Sequence, residues 1–144
     1  MFKNAQFNVF KGKSACRLSF IGQQQDFTPG FLFLELAEVK GKNGNNNRTY
    51  DWENKIGIKL SGVDISKLAY AIERGDSGEL FHEFNGTTKI ISIKRADSGQ
   101  SPYFLSVMQK GKDESKSISV PLSSEETYSF LTLLKYSIPK ILGW

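Results

Sequence analysis

Hydrophobic positions along the chain change period three times. Over residues 14–21 they alternate strictly, with Cys16, Leu18 and Phe20 on one side and Arg17 and Ser19 on the other. A two-residue repeat is the mark of a half-buried strand. Residues 5–11 read as an earlier strand, and Gly12 stands where a tight turn would join the two. A third strand over 31–38 puts Leu32, Leu34 and Leu36 on one face and Phe31, Phe33 and Glu35 on the other. Residues 41–47 are Gly, Asn and Lys throughout, which predicts a hairpin loop. A fourth strand runs from about residue 50 to 60, with Ile56, Ile58 and Leu60 inward and Lys55 and Lys59 outward.

The period then lengthens. Ser61 followed by Asp64 has capping-box spacing, and Ile65, Leu68, Ala69 and Ile72 recur at helical intervals. Gly75 is placed to end this helix. Alternation returns in short segments at 79–83, 89–95, 103–110 and 115–121, with Asn85-Gly86 as a strong hairpin signal between the first two. A second capping box, Ser123 with Glu126, opens a last helix. Its stripe of Phe130, Leu131, Leu134, Ile138 and Ile141 is widened by Tyr128, Leu133, Tyr136 and Leu142. A helix apolar over so much of its circumference is buried on more than one side, which in a chain of 144 residues predicts contact with other subunits. Pro139 is expected to kink or end it. The pattern is α+β: two groups of about four antiparallel strands, each followed by a helix, in a single domain over residues 1–144.

Charge refines the picture. The net value is +4, but residues 1–60 carry +4, residues 61–88 carry −3, residues 89–122 carry +3 and residues 123–144 are neutral. Positive charge thus sits with the strands. A cationic sheet suits an anionic partner, and lysines also protect sheet edges from aggregation. The single cysteine, Cys16, forbids an internal disulfide and any Cys-rich zinc site. No apolar run reaches transmembrane length, and residues 1–4 carry no signal-peptide core, so a bacterial or phage-infected cytoplasm is the expected compartment and no membrane partner is expected.

Catalytic chemistry is hard to assemble. His82 is the one histidine, flanked by Phe81 and Glu83, and reads as a packing or surface residue. No metal-ligand spacing and no phosphate-cradling glycine loop is present. Glu125-Glu126 opens a helix and Asp113-Glu114 sits in a turn, so structural roles account for both acid pairs. The expectation is a protein that is not an enzyme and uses no cofactor and no metal.

Binding chemistry is easier to find. Single-strand binders combine a cationic track for phosphates with aromatic faces on which bases stack. Phe10, Lys11, Lys13, Arg17, Phe31, Phe33, Tyr50, Trp52, Lys55, Lys59, Lys94 and Tyr103 lie on or beside the expected strands. Phe31 and Phe33 face away from three leucines. Solvent exposure would free them for stacking, whereas a second sheet or a neighbouring subunit would bury them.

Seven pieces occur in a telling order. The first are Phe10-Lys11-Gly12-Lys13-Ser14-Ala15-Cys16, Gly30-Phe31-Leu32-Phe33-Leu34-Glu35-Leu36-Ala37, and Arg48-Thr49-Tyr50-Asp51-Trp52-Glu53-Asn54-Lys55. Phe81-His82-Glu83, Tyr103-Phe104-Leu105-Ser106-Val107, Val120-Pro121-Leu122-Ser123 and the terminal Ile138-Pro139-Lys140-Ile141-Leu142-Gly143-Trp144 follow. Together they resemble the Whirly family of single-stranded DNA-binding proteins. Ser14 and Cys16 stand where the family's first motif has Ala and Leu. The resemblance implies two four-stranded antiparallel sheets packed across each other, helices gathered at the core of a homotetramer, and single-stranded DNA bound along the sheets with little sequence preference.

Carried over residue by residue, the resemblance puts Lys11 and Lys13 first in the site. Arg17, Lys55, Lys59 and Lys94 join them as phosphate contacts, and Phe31, Phe33, Tyr50 and Trp52 as stacking or groove-shaping residues. Trp52 is equally compatible with core packing. RNA binding or annealing on the same architecture is the first alternative, and an oligomeric protein-interaction domain without nucleic acid is the second.

Overall fold

The computed structural model describes residues 5–22, 30–42, 47–96 and 101–144, with the backbone alone at Lys42. Its elements run β1 (Gln6–Phe10), β2 (Ser14–Ile21), β3 (Phe31–Lys42), β4 (Arg48–Tyr50), a 3-10 turn (Trp52–Asn54), β5 (Ile56–Leu60) and α1 (Gly62–Glu73). Then come β6 (Gly78–Phe84), β7 (Thr87–Arg95), β8 (Tyr103–Lys110), β9 (Ser115–Leu122) and α2 (Ser124–Ile141). Both sheets are antiparallel meanders, the second in the order β6-β7-β8-β9.

The first sheet departs from expectation at its last strand. The expected strand over residues 50–60 is two short strands, β4 and β5, both paired to the same side of β3. The long strand β3 continues past Glu38 to Lys42 and so has room for both. A register shift between Val39 and Gly41 and the 3-10 turn at Trp52 break the ladder. Asp51 starts that turn, accepting from the Asn54 side-chain amide at 2.9 Å while its own N–H bonds Glu38 O at 2.8 Å. Local side-chain bonding of this kind competes with strand pairing. The architecture remains two four-stranded antiparallel sheets, with the fourth strand of the first one interrupted. Of the hairpin loop expected at 41–47, Gly41 and Lys42 belong to β3, and residues 43–46 lie outside the described residues.

Register explains the packing. Val9, Cys16, Leu18, Leu32, Leu34, Leu36, Ile56, Ile58 and Leu60 share the buried face of the first sheet. Ile91, Ile93, Leu105, Val107, Ile118, Val120 and Leu122 do the same in the second. One cluster joins both faces to Ile65, Leu68 and Ile72 of α1 and Phe130, Leu134 and Ile141 of α2. The turn before β2 meets the edge strand β9, where Ser14 Oγ donates to Ser119 O at 2.6 Å.

Both capping boxes form as the spacing predicts. Gly75, at φ +75°, closes α1 in a Schellman arrangement, its N–H bonding Ile72 O while Asp76 N–H reaches back to Ala71 O. Asn85 and Gly86 both have positive φ, as a type I′ hairpin turn requires. Pro139 neither ends nor precedes the end of α2 directly: the helix runs on to Ile141 and closes with Gly143 at φ +86°. The proline's lost N–H removes one backbone bond near the C-terminus, and the bonds from Gly143 to Lys140 O and from Trp144 to Pro139 O still form. The outer side of the helix pair stays open, with Val63, Tyr70, Tyr128, Tyr136, Leu142 and Trp144 all exposed.

Candidate nucleic-acid interface

Because successive strand residues point to opposite faces, packing the leucines of β3 inward turns Phe31, Phe33 and Glu35 outward. The outer face of the first sheet therefore carries a short aromatic row, and both rings are half-buried rather than fully free or fully covered. Phe33 lies against Gly57 of β5, where the missing side chain leaves room for the ring. Lys59, opposite Phe33 in register, sets its ammonium 4.4 Å from the Phe31 ring centre. That is within cation–π range.

One step along the same face, Arg17 lies opposite Glu35. The Arg17 guanidinium sits 4.1 Å from the Trp52 ring centre, and its Nε donates to Asn8 Oδ1 at 3.1 Å. Trp52 stands on the 3-10 turn rather than on a strand, which brings its ring over the sheet instead of beside it. Glu35 is buried at 5% exposure, with Lys55 Nζ 2.5 Å and Arg17 Nη1 4.0 Å from its carboxylate oxygens. Arg17 and Lys55 are thus paired cations rather than the free phosphate contacts expected from their exposed strand positions.

Lys11 is paired too. Its ammonium is 2.5 Å from Glu126, the acid of the α2 capping box. Burial acts to raise the Glu126 pKa, but the hydrogen bonds from Lys11 and from the Ser123 backbone and hydroxyl outweigh it and hold the acid below its ordinary value. The Lys11 carbonyl accepts from Tyr50 Oη at 2.5 Å, and the Tyr50 ring meets Phe10 at 5.5 Å between centres. Tyr50 therefore braces the turn before β2 more than it offers a stacking face. Lys13 is exposed at that turn.

Lys94 belongs to the other sheet. It is exposed on β7, in a cross-strand row with Phe104 and Pro121. The row ends at a shallow groove where Phe104, Ser119 and Pro121 meet Lys11, Gly12, Lys13 and Ser14. The structure thus brings Arg17, Phe31, Phe33, Trp52, Lys55 and Lys59 together on one sheet face, Lys11, Lys13 and Tyr50 at its end, and Lys94 on the neighbouring sheet. Tyr103, counted among the strand aromatics, points inward: it is buried, and its hydroxyl is 3.3 Å from Asp76 O.

Three features escaped the strand pattern. Phe104 is exposed on β8, at a position alternation marks as outward but which carries no adjacent charge in sequence. Lys89 and Lys116 lie on the inward face of the second sheet, where it overhangs the β4–β5 segment, and donate to Gly57 O and Asn54 O. Burial lowers the Lys89 pKa. Nothing in sequence shows which end of a strand's inner face meets another sheet's edge. His82 shares their row and lies 3.0 Å from Asp64 Oδ2, the carboxylate of the α1 capping box. The groove beside it is lined by Lys59, Asn85, Thr87, Lys89 and Gln109 among others, with no acid or thiol. Among the described residues no group of three or more His, Cys, Asp or Glu side chains could hold a metal, and no helix is long and apolar enough to cross a membrane.

The geometry can be set beside known proteins. The model of the family described as Whirly transcription factor matches residues 9–133. A chloroplastic protein of Zea mays named single-stranded DNA-binding protein WHY1 is 29% identical over 157 residues, covering 96% of this chain and 56% of that protein. The mitochondrial WHY2 of Arabidopsis thaliana, also named a single-stranded DNA-binding protein, is 24% identical, covering 97% of this chain and 63% of its own length. The chain thus spans little more than half of these relatives. The crystal structure of WHY1 from Arabidopsis thaliana superposes with a TM-score of 0.84 at 21% identity, covering 100% of this chain and 88% of that one.

Proposed function

The chain belongs to the Whirly family, and on that premise we propose that it is a non-enzymatic, sequence-tolerant single-stranded DNA-binding protein acting in replication, recombination, repair or transcription. The observation that carries the reading is the outward aromatic row of the first sheet, Phe31 and Phe33, flanked by Lys59 and by the Arg17–Trp52 stack. Bases stack on such faces without regard to sequence, at roughly 1–3 kcal/mol each. Exposed Lys13, Lys59 and Lys94 supply the phosphate contacts. Phe104 extends the aromatic surface onto the second sheet. Lys11, tied to Glu126, holds the turn that presents Lys13.

The assembly proposed is a homotetramer built on the helices. What supports it is the open apolar side of α1 and α2, where Tyr128 is 73% and Trp144 95% exposed. Val63, Tyr70 and Leu142 line one groove there, and apolar surface of that kind marks an association site. Light scattering should return four times the 16.2 kDa protomer mass. The whole of residues 1–144 is proposed as one domain. A bacterial or phage-infected cytoplasm remains part of the proposal, although the relatives above are named as chloroplastic and mitochondrial.

The deciding experiment is fluorescence anisotropy of a labelled oligo-dT of about 30 nucleotides at several salt concentrations, competed with duplex DNA and with RNA of the same sequence. Tight, salt-sensitive binding that duplex fails to displace supports the reading. RNA that competes better than DNA moves the assignment to RNA, where the 2′-hydroxyl would be read. No binding at low salt leaves a protein-interaction domain. The double variant Lys11→Ala with Lys13→Ala should weaken binding to all sequences alike and flatten the salt dependence; an unchanged slope removes that turn from the site.

A further inference from the structure

Among the described residues the aromatic face of the first sheet contains one acid, Glu35, and its burial is unexpected. Glu35 occupies the same face as Phe31 and Phe33, yet its carboxylate is covered, and its partners are the two cations Arg17 and Lys55. It makes no capping bond, unlike Glu126, which has a backbone N–H to satisfy at Ser123. Burying a carboxylate among paired charges is weak evidence of stability, since a well-packed apolar side chain often serves as well. Phe33 beside it shows that the face accepts apolar residues. What Glu35 does for the face is electrostatic: it offsets one of the two positive charges of Arg17, which lies over the Trp52 ring, and Lys55.

Resting on the reading of this face as a single-strand site, we propose that Glu35 is an internal competitor for the DNA phosphate, holding Arg17 and Lys55 in the free protein and so limiting how tightly the strand is held. A phosphate that engages Lys55 has to take it from a carboxylate already 2.5 Å away. It then leaves that buried carboxylate with the looser Arg17 contact at 4.0 Å. Each such exchange returns less than a contact to a free lysine, so the strand is released faster and the salt dependence is shallower than the number of cations on the face implies. Arg17 keeps its place through Trp52 and Asn8 whether or not the acid is present, so its guanidinium remains available as a plate against a base.

The test is a cycle of variants of the 144-residue chain in the oligo-dT anisotropy titration, with thermal unfolding measured on each. Glu35→Gln keeps the shape and removes the charge. It should bind about fivefold tighter at low salt, the worth of one charge pair about 4 Å apart in water. Its plot of log affinity against log salt should steepen by about 0.7, one further phosphate on a single strand. Lys55→Gln should then cost more slope in the Glu35→Gln background than in the native one. A Glu35→Gln protein that melts lower but keeps the native slope makes Glu35 structural and overturns the proposal. If Glu35→Gln fails to fold, Lys55→Gln alone decides: loss of the full increment of about 0.7 from the native slope shows a lysine already free for phosphate, and refutes competition. Native protein that does not bind oligo-dT at all overturns this inference together with the reading beneath it, whereas native binding with an unresponsive Glu35 overturns this inference alone.

Discussion

Gly57→Ala offers a way to move one ring without touching it. Gly57 lies in β5 opposite Glu35, and a Cβ there would stand 2.7 Å from Phe33 Cζ, with two further ring carbons at 3.4 and 3.5 Å. Carbon atoms settle at about 3.5–4.0 Å, so the ring has to withdraw by roughly 1 Å. The close atom is the far end of a side chain on the outer face, so a tilt toward solvent relieves it and the backbone can stay. Gly57 does not have positive φ, and alanine fits its backbone. Replacing a strand glycine gains roughly 0.5–1 kcal/mol from the restricted unfolded chain. A strained ring rotamer costs roughly 0.5–1.5 kcal/mol. The two largely offset, and stability should change by no more than about 1 kcal/mol.

Binding should not be spared in the same way. A base stacked on Phe33 is worth roughly 1–3 kcal/mol, and a ring displaced by roughly 1 Å keeps only part of that. The expected loss is about 1 kcal/mol, or roughly fivefold in Kd. Oligo-dT anisotropy and thermal melting at one protein concentration measure the two effects separately, with Phe33→Ala as the upper limit of the loss. If Gly57→Ala binds like the native protein while Phe33→Ala binds weakly, the ring's place over Gly57 is irrelevant to stacking and the geometric reasoning fails. If neither variant binds differently, Phe33 is not a stacking residue.

Three further outcomes follow from other parts of the molecule. Ser123→Ala removes the hydroxyl that accepts from Glu126 N–H at 3.1 Å; loss of such a cap costs about 1 kcal/mol, or roughly 2–4 °C in Tm at this size, read by calorimetry at fixed concentration. Cys16 is buried, and its pKa is pushed up to about 12, chiefly by burial and then by Glu126; the thiol should resist alkylation at pH 8 in the native protein and react at once in denaturant. Glu126 has a folded pKa held below its ordinary 4.5, so its contribution is complete above that value and is lost as pH falls through the folded pKa. Acid titration of stability should show this component in the native protein and a smaller one in Lys11→Met; equal acid sensitivity would remove Lys11 as the cause.

The strands and helices were written locally. Alternation over 14–21 and the leucine spacing of β3 needed only the two-residue repeat, and both helix starts needed only a serine and an acid three residues on. The same alternation assigned Phe31, Phe33 and Glu35 to one outward face, because a side chain's face follows from its parity along a strand. Pro139 does not end its helix, which runs on to Ile141, because a proline removes only the one backbone bond that its own N–H would have donated. The break at Trp52 was missed because Asp51 and Asn54 compete with the ladder through their own side chains.

Sequence determined which residues face outward, and with them the class of partner that such a face suits. Only tertiary structure decided which cations are free. Lys11 meets Glu126 from 115 residues away, and Lys55, just before β5, reaches Glu35 on the neighbouring strand β3. It also decided that Trp52 covers Arg17. Burial and parity are properties of a segment and its period. Charge pairing depends on a few ångströms between segments, and no local repeat encodes that distance.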